Sequence, residues 1–126
     1  MVSLLSFMGA IMEMRNPVKS IIMQSSAVAT GNGTAIVTSG GSDGGFTTLT
    51  CQVKGITSAT ITWEATCDGT NWVAVGFTTM ADVATIATTA TADGIYRAVV
   101  LGFASVRARI STWASGAITV TGIAVA

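Results

Sequence analysis

Apolar and polar residues alternate over long stretches of this chain. In TTLTCQVKG, Leu49, Cys51 and Val53 fall on one parity and Thr48, Thr50, Gln52 and Lys54 on the other. TITWEATC repeats the pattern, with Ile61, Trp63, Ala65 and Cys67 set against Thr60, Thr62, Glu64 and Thr66. SVRARIS puts Val106, Ala108 and Ile110 inward and Arg107 and Arg109 outward, and AITVTGIAVA supplies a last strand near 118–125. A period of two with one polar parity marks an antiparallel sheet packed on one side.

Turn residues punctuate these runs. Asp-Gly occurs at Asp43, Asp68 and Asp93, spaced 25 residues apart, with Phe46, Trp72 and Tyr96 following. Further turn signals fall near the middle of each interval, at 55–58 and 79–82. Each interval therefore holds about two strands, the spacing of a sandwich or barrel. Beyond Asp-Gly the segments scarcely match, so the period is a hairpin rhythm and not a solenoid repeat. Ten runs, at 19–25, 27–30, 34–38, 46–54, 59–67, 71–78, 84–91, 95–101, 104–112 and 117–125, predict eight or nine strands, since the first three are weakly patterned and do not all count. That many strands must close or stack to bury their apolar faces. The expected fold is all-β: an antiparallel two-sheet β-sandwich, jelly-roll-like, over residues 19–126.

Residues 1–18 read differently, as an N-terminal apolar arm or short helix. Leu4, Leu5, Met8, Ile11 and Met12 fall at helical spacing, and Pro17 stops any helix by Asn16. A secretion signal would carry Lys or Arg before its apolar run, whereas the first charge here is Glu13. Such a terminus has to lie on something, either its own domain or a neighbouring subunit. The residues expected at a subunit interface are Leu4, Leu5, Phe7, Met8, Ile11 and Met12.

Composition supports that expectation. Half of the residues are hydrophobic and only 10% are charged, against about 25% charged in an ordinary soluble domain. The mean hydropathy of +0.66 comes from Ala and Val interleaved with Thr, Ser and Gly, and no apolar run reaches the ~18 residues needed to span a bilayer. So few charges predict a homo-oligomer, with no membrane partner. Net charge is zero, from six cations and six anions. That argues against a nucleic-acid partner, which leaves a basic footprint.

The chain has no His, so it lacks the commonest general base and metal ligand. Its many Ser and Thr have no activating partner, and its acids are scattered. No enzyme, cofactor or metal site is expected. A hairpin closed by GITS would set Cys51 opposite Trp63, leaving Cys67 about 13 Å away, beyond the ~7 Å limit for a disulfide. Both cysteines then read as small core residues.

Other side chains are open to two readings. Trp63 and Trp72 suit a cross-strand aromatic pair, while Trp113 sits in STWASG, an expected turn. Trp72, Trp113, Asp68 and Asn71 are also candidates for a partner or glycan contact. Arg97, Arg107 and Arg109 lie on outward parities, either as a solvated face or as interface salt bridges, because their forks reach carboxylates.

The order CDGTNWVAV, TATADGIYRAVVLGFASVRARIS, SGAITVTGIAVA resembles small accessory virion proteins of tailed bacteriophages over residues 46–125. Its elements are a D-G-T-x-W hairpin and G-x-Y-R, G-F-x-x-V-R-x-R and S-G-x-x-T-V strands. The resemblance implies a β-sandwich in the virion, as a capsid decoration or cement protein that stabilises the particle through subunit contacts. Major capsid or tail proteins would be its partners, and a trimer its common form. A tail or fibre module binding host-surface glycans is the alternative.

Overall fold

The computed structural model describes residues 17–39 and 45–126. The six interface residues expected between Leu4 and Met12 lie outside the described residues, as does Asp43-Gly44. The described chain is all-β and antiparallel. Its strands are β1 (Val18–Ala27), β2 (Ile36–Val37), β3 (Thr48–Thr66), β4 (Val73–Ala74), β5 (Phe77–Thr79), β6 (Asp82–Ala87), β7 (Thr89–Ala90), β8 (Gly94–Val99) and β9 (Ser105–Val125). They form one hydrogen-bonded sheet in the order β1-β9-β3-β8-β5-β6, with β2 added to β9 and β4 and β7 added to β3. The sheet is open, and its strands belong to one unit where two separate sheets were expected.

Two long strands organise it. β3 has 19 residues and β9 has 21, paired from Thr48↔Val125 to Thr66↔Ser105. A straight strand of that length would run about 63 Å, too far for a domain of this size. β3 instead doubles back. Tyr96 on β8 is the Cα partner of Cys51, yet its ring lies 5.4 Å from that of Trp63, twelve residues further along the same strand. In a straight strand those positions would stand about 40 Å apart.

The bend falls where the register breaks, between Lys54 and Ile61 on β3. Gly55 (φ 96°) and Gly116 (φ 114°) supply the left-handed backbone there. A Cβ on Gly55 would collide with the carbonyl of Ala117, and one on Gly116 with the carbonyl of Gly55. Inserted residues of this kind bend a strand without ending it. The GITS segment is therefore a bulge, and the expected hairpin there does not form. For the same reason 104–112 and 117–125 are one strand, and Trp113 stands within it rather than in a turn.

Asp93 fixes the bend from outside the two long strands. Its Oδ2 accepts from Gly55 N–H at 3.0 Å and its Oδ1 from Ile56 N–H at 2.8 Å. The bulge frees these donors from the ladder, and the carboxylate satisfies both.

The core lies between the two halves of the doubled sheet. Leu49, Cys51 and Val53 face inward from one half, and Ile61, Trp63 and Ala65 from the other. β9 adds Val106, Ala108, Ile110, Ile118 and Val120. Trp63 stacks on Phe77 with ring centroids 4.5 Å apart, so the widest side chain ties β3 to β5. Cys51 lies against the thioether of Met23, Sγ–Sδ 3.7 Å, and burial pushes its thiol up to about 12. Both cysteines are free, but Cys67 is exposed and is not the core residue expected.

Candidate functional site

Doubling one sheet leaves two outer faces, and their chemistry differs. The first covers β1, the C-terminal half of β9, the N-terminal half of β3, β8, β5 and β6. Cross-strand partners share a face, so the register gives its rows directly. One row runs Val18, Val125, Thr48, Val99. The next runs Ser20, Ile123, Thr50, Arg97, Thr78, Ile86. A third carries Ile22, Thr121, Gln52 and Ile95.

The aliphatic members of these rows are open to water. Val18, Val99 and Ile86 are 66%, 69% and 70% exposed. Arg97 is the ionised group within these rows, with Lys54 toward the bend and Asp82 at the start of β6. Arg97 lies flat, its Nε donating to Thr50 Oγ1 at 3.1 Å. Beside it a groove of about 350 Å³ is lined by Thr48, Thr78, Met80, Val83 and Val99. Clustered exposed aliphatics mark an interaction surface, where scattered ones would not.

The second outer face is polar and internally satisfied. Glu64 and Arg107 are directly opposite on β3 and β9. Arg107 Nε donates to Glu64 Oε1 at 2.8 Å, and Arg109 Nε to Oε2 at 3.1 Å. The Arg107 guanidinium also covers the Trp72 ring, 4.1 Å from its centroid. Thr62 Oγ1 donates to Ser111 Oγ at 2.8 Å. The charges of Arg107 and Arg109, considered for contacts with a neighbour, are thus engaged within the chain.

Asp68-Gly69 forms the turn its sequence predicts. Gly69 takes φ 78°, and Asp68 Oδ1 accepts from Asn71 N–H at 2.7 Å, Thr70 N–H at 2.8 Å and Thr66 Oγ1 at 3.0 Å. Asn71 Nδ2 donates to Oδ2 at 2.7 Å. These donors, the Asn71 backbone first, hold the Asp68 carboxyl well below the usual carboxylate range. The turn borders an apolar cleft of about 410 Å³ between Val73, Val75, Phe103 and the exposed Cys67.

Of the four residues considered for a glycan or partner contact, Asp68 and Asn71 meet in this turn. Trp72 lies against Arg107, with one ring face covered. Trp113 stands apart, opposite Ala59 at the bend. It is six residues from Arg107 along β9, roughly 20 Å, and its Nε1 is committed to Gly116 O at 2.9 Å. The four do not converge on one ligand.

The apolar outer face was not singled out from sequence, although a signal was present. Ile21-Ile22-Met23, Ala98-Val99-Val100 and Ile123-Ala124-Val125 are apolar on both parities. A strand that is apolar on both parities calls for cover on both faces.

No protein family and no curated protein matches the sequence. The fold is shared with solved structures. The crystal structure of SPBc2 prophage-derived protein YomS superimposes with a TM-score of 0.77 at 21% identity, over 88% of this chain and 95% of that one. That of PBSX exported protein XepA gives a TM-score of 0.79 at 16% identity, again over 88% of this chain. This chain spans 38% of XepA's length. At these identities the likeness establishes a common fold.

Proposed function

We propose that this chain is a non-enzymatic structural protein of a bacteriophage particle, acting as a capsid decoration or cement subunit in the virion. The observation that carries the reading is the fold shared, nearly end to end, with a prophage-derived protein of similar extent. The exposed aliphatic rows add a physical means of contact between subunits. Six strands at ~4.8 Å spacing and about five residue steps of ~3.3 Å give a face of roughly 400 Å² in projection. About half of that face is aliphatic, so burying it contributes on the order of 5 kcal/mol at ~25 cal/mol per Å² of apolar surface, before the costs of ordering and association are subtracted.

In this reading the doubled sheet is the rigid body. Major capsid proteins, or tail proteins, are its partners. The N-terminal segment with Leu4, Leu5, Phe7, Met8, Ile11 and Met12 supplies further apolar contact between subunits of a homo-oligomer, expected to be a trimer. The glycan-binding alternative gains nothing from the geometry, because Trp72 and Trp113 are separated and each has a partner within the chain.

The test is quantitative mass spectrometry of purified particles, followed by add-back to particles lacking the protein. Hundreds of copies per particle, with a raised temperature of capsid rupture after add-back, support the proposal. A handful of copies moves the protein to the tail. Absence from particles overturns the reading.

A further inference from the structure

We propose that the apolar outer face is the seat for the N-terminal segment, residues 3–14, of a second copy of this chain. The inference rests on the reading above and names the surface that the segment grips.

Three observations converge on it. The first is chemical fit. The face presents Val18, Ile22, Ile95, Val99 and Ile123 to water, with Arg97 among them, Lys54 toward the bend and one acid, Asp82, at the start of β6. In the segment's sequence Leu4, Leu5, Met8, Ile11 and Met12 fall at helical spacing, with Glu13 as its single acid. An apolar stripe suits rows of exposed aliphatics, and its one carboxylate has Arg97 and Lys54 as candidate partners.

The second is size. Twelve residues wound as a helix would span about 18 Å. The six strands of the face span about 24 Å, so the segment fits across them. The groove between Met80, Val83 and Val99 can receive a large side chain from the segment.

The third is where the chain emerges. β1 is an edge strand, and Val18, its first residue, belongs to the outermost row of the face. Ala126 N–H donates to Pro17 O at 3.1 Å and anchors the exit point. The sixteen residues before Pro17 thus join the described chain at the rim of this face, beside its outermost row.

The experiment uses full-length protein in three forms: wild type, a face variant (Val99→Asp with Ile123→Asp) and a segment variant (Leu5→Asp with Met8→Asp). Val99 and Ile123 are exposed at 69% and 43%, so the face variant should keep the wild-type circular dichroism spectrum and melting temperature. Sedimentation velocity should show wild type as an oligomer and each variant alone with self-association weakened at least tenfold. An equimolar mixture of the two variants should re-associate, because one supplies an intact segment and the other an intact face.

Failure of the mixture to associate overturns the inference, and so does a monomeric wild type. A face variant that keeps the wild-type mass while the segment variant loses it also overturns the inference, since the segment then grips elsewhere. That last result leaves the structural reading standing. Absence of the protein from particles sinks that reading separately.

Discussion

Asp93 closes the bulge at Gly55. From just before β8, one carboxylate oxygen accepts the Gly55 N–H and the other the Ile56 N–H. The strand bends where β3 would otherwise run straight. Gly55→Ala places a Cβ against the carbonyl of Ala117 at φ 96°. The expected loss is about 1–3 kcal/mol or more, measured by urea denaturation. Asp93→Ala should also destabilise, and Asp93→Asn less, because its amide keeps one acceptor. Equal stability of Asp93→Ala and wild type would show that the bend holds without the clamp.

The same carboxylate acts on Tyr96. Burial raises the Tyr96 phenol above its ordinary value, and the negative charge of Asp93 adds to the rise. Asp93→Asn should therefore shift the ultraviolet titration of Tyr96 to lower pH. An unchanged curve would leave burial as the entire cause.

Glu64 holds two arginines, and its side chain is 10% exposed. Glu64→Ala leaves the Arg107 guanidinium, 16% exposed, without its carboxylate. Breaking a fully buried pair costs about 3–5 kcal/mol. Because Arg109 is 35% exposed, the expected loss is smaller, about 2–3 kcal/mol. Release of Arg107 also uncovers Trp72, so tryptophan emission should move to longer wavelength. A Glu64, Arg107 double-mutant cycle with no coupling would contradict the pairing.

Asp68 gives a pH dependence whose sign is fixed. Its folded pKa lies below its ordinary value of 3.8. The folded state therefore binds the proton less readily than the unfolded chain. The stabilisation is fully present above about pH 5 and declines as pH falls through 3.8 toward the folded pKa. The stability difference between wild type and Asp68→Ala should shrink steadily in acid. A constant difference from pH 6 to pH 3 would exclude this linkage.

The two thiols should separate cleanly. Cys67 is exposed, whereas Cys51 is buried with its pKa pushed up to about 12. A thiol reagent at neutral pH should modify one cysteine in the native protein and two after denaturation. Rapid native modification of both would show that the core opens at Cys51.

Much of this was legible in the chain. The alternation of Leu49, Cys51 and Val53, of Ile61, Trp63 and Ala65, and of Val106, Ala108 and Ile110 determined β structure and the core parity, because side chains on a strand alternate in direction. Asp68-Gly69 determined its turn through the φ that glycine permits. Gly55 and Gly116 were visible as irregularities, but a turn and a bulge use the same residue. Only the long-range pairing of β3 with β9 across the gap, and the reach of Asp93 from 38 residues away, decided that the strand bends and continues. Tertiary structure likewise decided which cations are engaged, since Glu64 meets Arg107 through strand register, 43 residues apart. It also decided which aliphatics remain uncovered. Parity divides a strand into two faces, but whether the second face is covered depends on what packs over it.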